Sequence, residues 1–298
     1  MRGVVVALGN FDGMHLGHQE VLKRAVEEGR HRGMKVVAAT FQPHPRSVLG
    51  VGDPPRLLTP IALRREVLLD YGADEVVAIT FDLELSRKSP EQFVREVLVG
   101  EIGASVVVVG ENFRFGHRAV GHVEDLRRLM REEGGEAVAV EVRGGGEEAG
   151  ISSTRIRALV SDGRVDEAAG LLGRPYVLRG EVVVGDRRGR TIGYPTANVL
   201  PDPEAVVPAR GVYAGFVVVA DEKYAACTNV GVAPTFGRAD SRVEAYLLDF
   251  DGDLYGRIVD VGFIQRIRGE KKFSGVDELK AQIQRDVEEA RLITGNPR

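Results

Sequence analysis

Gly9-Asn10-Phe11-Asp12-Gly13-Met14-His15-Leu16-Gly17-His18 is the stretch whose reading decides the fold. It follows Val4-Val5-Val6-Ala7-Leu8, a continuous apolar run of the kind found in strands buried on both faces. It leads into Gln19 to Arg32, where Val21, Leu22, Ala25 and Val26 keep a helical period. Two histidines therefore stand at a strand-to-helix turn, and if both fall in the first helical turn they share one face. Glycines on either side let a ligand approach the backbone, and a helix N-terminus favours anions. The turn is a candidate site for nucleotide phosphates. The alternative is a pair of histidines capping a surface helix.

Working outward, the first half alternates apolar and amphipathic runs. Strands are expected at Val4 to Leu8, Val36 to Phe41, Val76 to Phe81, Val106 to Val109 and Val138 to Val142. Helices are expected at Gly17 to Arg32, Ile61 to Tyr71, Pro90 to Leu98 and Val123 to Glu133. That alternation predicts an α/β domain with a parallel sheet covered on both faces, and ligands beyond the carboxyl ends of the strands. From Tyr176 the period shortens. Glu181 to Val184, Val212 to Ala220 and Val243 to Phe250 are separated by Gly, Asp and Pro turns, which predicts an antiparallel sheet or small barrel. A helix over Val276 to Leu292 closes the chain, and the boundary is placed at 1–172 and 173–298, after the short helical stretch Val165 to Leu172.

At 298 residues the chain suits two domains. Its 43% hydrophobic content supports a core, and a net charge of −4 gives no footprint for nucleic acid. No apolar run reaches the roughly 20 residues that span a bilayer, and the N-terminus lacks the features of a signal peptide. The single cysteine, Cys227, excludes an internal disulfide and a cysteine metal cluster. These features predict a cytoplasmic protein with small-molecule partners, no membrane contact, and a monomeric or weakly homo-oligomeric state. All six histidines lie in the first 122 residues, so a base in the second half must be of another type.

Three more segments of the first half suit a nucleotide site. Thr40-Phe41-Gln42-Pro43-His44-Pro45 follows the second strand, and His44 either faces the pocket or caps a turn in solvent. Gly110-Glu111-Asn112-Phe113-Arg114-Phe115-Gly116 offers an amide, a cation for phosphate and two rings for stacking, or a plain loop with two core aromatics. Ile151-Ser152-Ser153-Thr154-Arg155-Ile156-Arg157 opens a helix with a serine N-cap, and its hydroxyls, amides and Arg157 can clamp polyphosphate.

The second half carries Gly185-Asp186-Arg187-Arg188-Gly189-Arg190-Thr191-Ile192-Gly193-Tyr194-Pro195-Thr196-Ala197-Asn198, a cationic glycine-rich loop running into an extended segment. Thr196 and Asn198 point to one face of a strand and offer oxygen ligands suited to Mg²⁺, although Thr-x-Asn alone reads first as a turn with side-chain caps. Glu244 shares a face with Tyr246, Leu248 and Phe250 in an extended strand; there it either lines a cavity or sits at a strand end in solvent.

Taken together, these motifs resemble the bacterial bifunctional riboflavin kinase/FMN adenylyltransferase (FAD synthetase) family over nearly the full chain. The Gly9 to His18 run contains the HxGH signature of nucleotidyltransferases. Gly-Tyr-Pro-Thr-Ala-Asn after Gly-Arg is similar to the defining riboflavin kinase motif, and Gly173-Arg174-Pro175-Tyr176, Asn229-Val230-Gly231, Pro234-Thr235-Phe236, Leu254-Tyr255-Gly256 and Lys272-Phe273 resemble its other elements. The resemblance implies a Rossmann-like nucleotidyltransferase domain followed by a six-stranded antiparallel β-barrel with a C-terminal helix. It implies phosphorylation of riboflavin to FMN and adenylylation of FMN to FAD, with ATP and Mg²⁺ used in both. His15 and His18 would bind ATP phosphates and stabilise charge, with Gly9, Phe11, Asp12, Gly13, His44, Asn112, Arg114, Ser152, Thr154 and Arg157 around ATP or FMN. Glu244 would be the base of the kinase and Thr196 and Asn198 its metal ligands. Gly185, Arg188, Gly189, Arg190, Gly193, Tyr194, Pro195 and Asn229 would hold ATP or flavin, and Arg268 a flap. Two departures stand out: Ala233 where relatives often have arginine, and Tyr246 where they often have histidine. Rival readings are a kinase whose first domain is inactive and a non-catalytic flavin carrier. A dinucleotide oxidoreductase lacks its glycine-rich loop after the first strand.

Overall fold

β1 (Val4–Leu8) is apolar throughout because both of its faces are covered. Val6 and Leu8 pack with Phe93, Val97, Leu98, Leu126 and Met130 in one core layer. Val5 and Ala7 pack with Val21, Leu22, Ala25 and Leu68 in the other. This computed structural model describes residues 3–50, 52–141, 150–185, 193–233 and 240–295. Arg188, Gly189, Arg190, Pro234, Thr235, Phe236 and the side chain of Ala233 lie outside the described residues. By its internal contacts the chain forms two units, Met1–Ser153 and Thr154–Arg298.

In the first unit β1 is flanked by β2 (Val36–Gln42), β3 (Glu75–Thr80), β4 (Ala104–Gly110) and β5 (Glu136–Val140). The five strands are parallel in the order β3-β2-β1-β4-β5. The chain leaves β1 toward β2 on one side and returns at β4 on the other, so the strand order reverses beside β1. A crevice opens there, beyond the carboxyl ends of β1 and β4. The helices are α1 (Leu16–Arg32), α2 (Pro45–Leu49), α3 (Ile61–Asp70), α4 (Pro90–Gln92) and α5 (Val123–Glu132).

Two predicted elements differ in detail. β5 runs Glu136–Val140 rather than Val138 to Val142, because Glu136 is in register with Val106 and is held by Arg32 at 2.7 Å. The expected α-helix over Pro90 to Leu98 continues from α4 as wider turns through Phe93–Glu101. The N–H of Ile102 reaches the Val97 carbonyl five residues back, at 3.0 Å.

α6 (Ser153–Ser161) starts at the last residue of the first unit, and its remainder opens the second, followed by α7 (Val165–Leu172). α7 packs on the strands β6 (Tyr176–Val183) and β11 (Ile258–Arg268). With β7 (Ala197–Pro201), β8 (Gly211–Val219), β9 (Glu222–Ala233) and β10 (Asp240–Leu247) these close a six-stranded antiparallel barrel, ordered β10-β7-β6-β11-β8-β9. Closure removes the free edges. β10 stops at Leu247 instead of Phe250 because Asp249, at φ 58°, turns the chain. β9 and β11 had no individual signal; the small and polar residues of Ala225 to Asn229 hide the alternation of β9.

α8 (Val276–Thr294) lies across β8, β9 and β11. Beneath it Val212, Ala214, Cys227, Leu248 and Ala290 form a small core. Register shifts after Phe263 and Arg266 carry Arg268 to this seam. Arg268 donates through Nε to Asp286 Oδ1 at 2.9 Å and through Nη2 to Oδ2 at 2.7 Å. Gln282 donates to the same carboxylate at 2.9 Å. Arg268, expected at a flap, has its guanidinium engaged here by a carboxylate that is only 3% exposed.

Burial under α8, reinforced by the Asp286 charge, pushes the Cys227 thiol up to about 12. A thiol-specific reagent at neutral pH should therefore reach Cys227 only when α8 lifts. Arg268→Ala leaves the buried Asp286 without its counter-charge, at a cost of about 3 kcal/mol, and should raise the labelling rate roughly a hundredfold. An unchanged rate, read by stopped-flow with a chromogenic disulfide, would mean that the pair does not hold the helix down.

Candidate functional sites in the two units

The Gly9 to His18 turn begins where β1 ends and is tightly wound. Phe11 and Met14 take φ values of 48° and 46°, left-handed conformations that side chains rarely adopt, and Gly13 takes 83°. Such residues cost of order 1–3 kcal/mol each and persist only where the surroundings over-determine them. The surroundings here are polar and buried. Asp12 is 0% exposed and Arg64, on α3, is 1% exposed, with 3.5 Å between Asp12 Oδ1 and Arg64 Nη2. The Thr59 N–H donates to Asp12 Oδ1 at 2.9 Å, and Gly13 N–H donates to Thr59 Oγ1 at 2.8 Å. Ser153 Oγ donates to the Asp12 carbonyl at 2.9 Å. Asp12, expected among the ligand contacts, thus faces the protein and secures the turn from behind.

The turn presents its histidines together. His15 is the N-cap of α1, and its Nδ1 accepts the His18 N–H at 3.3 Å. The rings stack with centroids 3.6 Å apart and planes 16° apart. Phe11 meets His18 edge-on at 5.4 Å. The two imidazoles and the N-terminal end of α1 therefore converge on one spot.

That spot opens into a pocket of about 840 Å³, lined by Gly9, Phe11, His15, His18, Asn112, Arg114, Ser152 and Ser153 among others. Asn112 and Arg114 come from the loop after β4, so the switch point gathers segments distant in sequence. Phe41, Phe81, Phe93, Phe113 and Phe115 give the pocket an aromatic wall. Phe113 and Phe115 stack at 5.8 Å and 12°, and Arg114 contacts the His122 ring. His44 is not on this lining: it caps α2, with Nδ1 accepting the Arg46 N–H at 3.2 Å. Thr154 and Arg157 belong to α6 in the second unit.

On the barrel, register places Asn198, Glu244 and Asn229 opposite one another on β7, β10 and β9. Asn229 Nδ2 donates to Glu244 Oε2 at 3.4 Å. Arg242, two residues before Glu244 and on the same face, donates to Asn198 Oδ1 at 2.9 Å and pairs with Glu244 Oε1 at 2.9 Å. Glu244, with a quarter of its side chain exposed, is at the outer surface of the barrel rather than inside it. Tyr246 packs edge-on against Tyr194 at 5.4 Å. Gly185 lies so close to Asn198 that a Cβ there would come within 2.3 Å of its amide, and Gly193 takes φ 89°. Thr196, Asn198 and Pro195 line an adjoining pocket of about 450 Å³ with Asp251, Asp253 and Tyr255.

The sequence reading missed Arg64, Thr59 and Arg242. Arg64 carried one signal: it stands four residues before Leu68, on the apolar face of α3, where a charge requires a partner. Arg242 carried another, alternating with Glu244 along an extended strand.

Residues 1–155 match the family model of FAD synthetase, and residues 172–294 match that of riboflavin kinase. The chain is 37% identical over 296 residues to the bifunctional riboflavin kinase/FMN adenylyltransferase of Escherichia coli strain K12, covering 98% of this chain and 93% of that protein. It is 35% identical to the enzyme of the same description from Bacillus subtilis strain 168, over 96% of this chain and 91% of that protein. A Streptococcus pneumoniae crystal structure described as a macrolide-efflux protein superposes with a TM-score of 0.86 at 35% identity, over 97% of this chain and 94% of that one. A parallel-sheet nucleotide domain and a closed flavin kinase barrel in one chain define a two-domain flavin-cofactor transferase. The chain belongs to the bifunctional riboflavin kinase/FMN adenylyltransferase family. It phosphorylates riboflavin to FMN and adenylylates FMN to FAD, with ATP as co-substrate. Among the described residues no helix is long and apolar enough to cross a membrane.

Proposed function

We propose that the two reactions use separate sites, the His15/His18 turn for adenylyl transfer and the Glu244 row for phosphorylation. The observation that carries this is the stacked imidazole pair at the head of α1, open to a pocket with room for a nucleotide and an aromatic wall for a flavin ring. The functional domains follow the 1–172 and 173–298 division.

In the first site an FMN phosphate oxygen attacks the α-phosphorus of ATP, a P–O bond forms, and pyrophosphate leaves. No covalent enzyme intermediate is needed, so the demand is for orientation and charge neutralisation. His15, His18 and the α1 amides supply donors where negative charge grows. Asn112, Arg114 and Ser152 line the same pocket and would hold the substrates; Thr154 and Arg157 are assigned to the ATP phosphates on the family resemblance.

In the second site the ribityl 5′-hydroxyl attacks the γ-phosphorus of ATP, Glu244 takes the hydroxyl proton, and ADP leaves. Asn229 Nδ2 reaches one carboxylate oxygen and Arg242 the other, which orients the base. Among the described residues no group of three or more His, Cys, Asp or Glu side chains could hold a metal. The oxygens of Thr196 and Asn198 instead fit Mg²⁺ carried in on nucleotide phosphates, and Arg242 already sets a cationic group on Asn198 Oδ1. Bound Mg²⁺ would neutralise phosphate charge. The balanced composition supports a cytoplasmic enzyme, monomeric or weakly associated, that binds no nucleic acid.

Glu244→Gln should lower FMN formation from riboflavin by roughly 10²–10⁴-fold while FAD formation from supplied FMN stays within about twofold. His15→Ala with His18→Ala should do the reverse, lowering FAD formation by about 10²–10³-fold. Chromatography of the fluorescent flavins reads both, and loss of both activities in one folded variant would refute separate sites. Arg242→Gln should lower the Mg²⁺ concentration that half-saturates the kinase, because a competing cation has been removed from Asn198. A Mg²⁺ titration with an unaltered midpoint would take Arg242 out of the cation site.

A further inference from the structure

The fully buried guanidinium of Arg64 ties together the pieces that shape the phosphate turn. It donates to the Thr59 carbonyl through Nε at 3.1 Å and Nη2 at 3.0 Å, and through Nη1 to Thr40 Oγ1 at 3.2 Å. Thr40 Oγ1 in turn donates to the Asn10 carbonyl at 2.9 Å. Thr59 meets Asp12 and Gly13 through its own N–H and hydroxyl. Asn10, Asp12 and Gly13 are thus all referred to one side chain on α3, while Phe11 and Met14 between and beside them hold left-handed conformations.

A buried arginine is costly, and an apolar residue would fill the same space more cheaply for stability alone. What the guanidinium supplies is direction: planar, fixed donors that set the Thr59 carbonyl and the Thr40 hydroxyl, and through them Asn10, Asp12 and Gly13 around the strained Phe11. We propose that Arg64 is a positioning residue for adenylyl transfer, acting through Asp12, Thr59 and Thr40 to hold the turn in the one conformation that stacks His15 on His18. This rests on the adenylyl-transfer reading of the first unit. The consequence is a kcat effect: substrates still find the pocket, but the donors miss the developing charge by a fraction of an ångström, a displacement that costs on the order of 10²-fold.

The test uses the full chain, whose kinase activity is an internal control. Arg64→Met should lower kcat for FAD formation from FMN about a hundredfold, with far smaller changes in both KM values and no change in riboflavin phosphorylation. Arg64→Lys, which keeps the charge opposite Asp12 but not the planar set of donors, should recover only a small part of the loss. Because His15 Nδ1 accepts a backbone N–H, its ring carries the proton on Nε2. ¹⁵N-histidine NMR should show that tautomer in the parent, and a tautomer mixture in Arg64→Met and in Arg64→Lys. Thr40→Val cuts only the tether to Asn10 and should give a smaller kcat loss with the same tautomer mixing; it decides the matter if Arg64→Met fails to fold. A folded Arg64→Met with parental kcat and tautomer, or a misfolded Arg64→Met beside a Thr40→Val of parental kcat, would overturn the inference. A parent chain that makes no FAD from FMN would overturn the underlying reading instead.

Discussion

A carboxylate and a guanidinium almost wholly withdrawn from water, Asp12 and Arg64, are what the first unit's chemistry depends on. Without them the turn after β1 would relax its left-handed residues and let the two imidazoles separate. Their desolvation is offset by close packing of donors and acceptors: Thr59 is engaged through its N–H, hydroxyl and carbonyl, and Thr40 relays to the backbone. A network this satisfied is rigid, and rigidity suits a reaction in which the protein contributes orientation and charge rather than bonds.

The second unit reaches a comparable result by register instead of strain. Antiparallel pairing sets Asn198, Glu244 and Asn229 side by side because each sits at the same level on neighbouring strands. Barrel closure then fixes that level, since a slip by one residue would send Glu244 to the packed interior. Arg242 exploits the same periodicity, two residues away on the same face. α8 buttresses the neighbouring strands through Arg268 and Asp286, so a residue near the motif region serves architecture.

Much of this could be read from the residues. The unbroken apolar strand Val4–Leu8 and the helical period after it placed the His15/His18 turn at a strand end, because burial on two faces and on one face leave different patterns. The barrel was legible as short strands between turns, but β9 was not, since its middle is small and polar. His44, which local pattern left between the pocket and a turn, is a helix cap. That distinction depends on where the chain turns, and local pattern does not contain it.

By itself the sequence determined the two-part plan, the strand-and-helix setting of the paired histidines and the extended setting of Glu244, since each follows from short-range periodicity and composition. Only the tertiary structure decided which polar groups meet. Asp12 and Arg64 lie in separate elements, as do Asn198, Glu244 and Asn229, and Arg268 and Asp286. A charge on an apolar helix face shows that a partner must exist; packing alone selects it, because desolvation leaves a buried ion stable only where the folded chain brings its complement within reach.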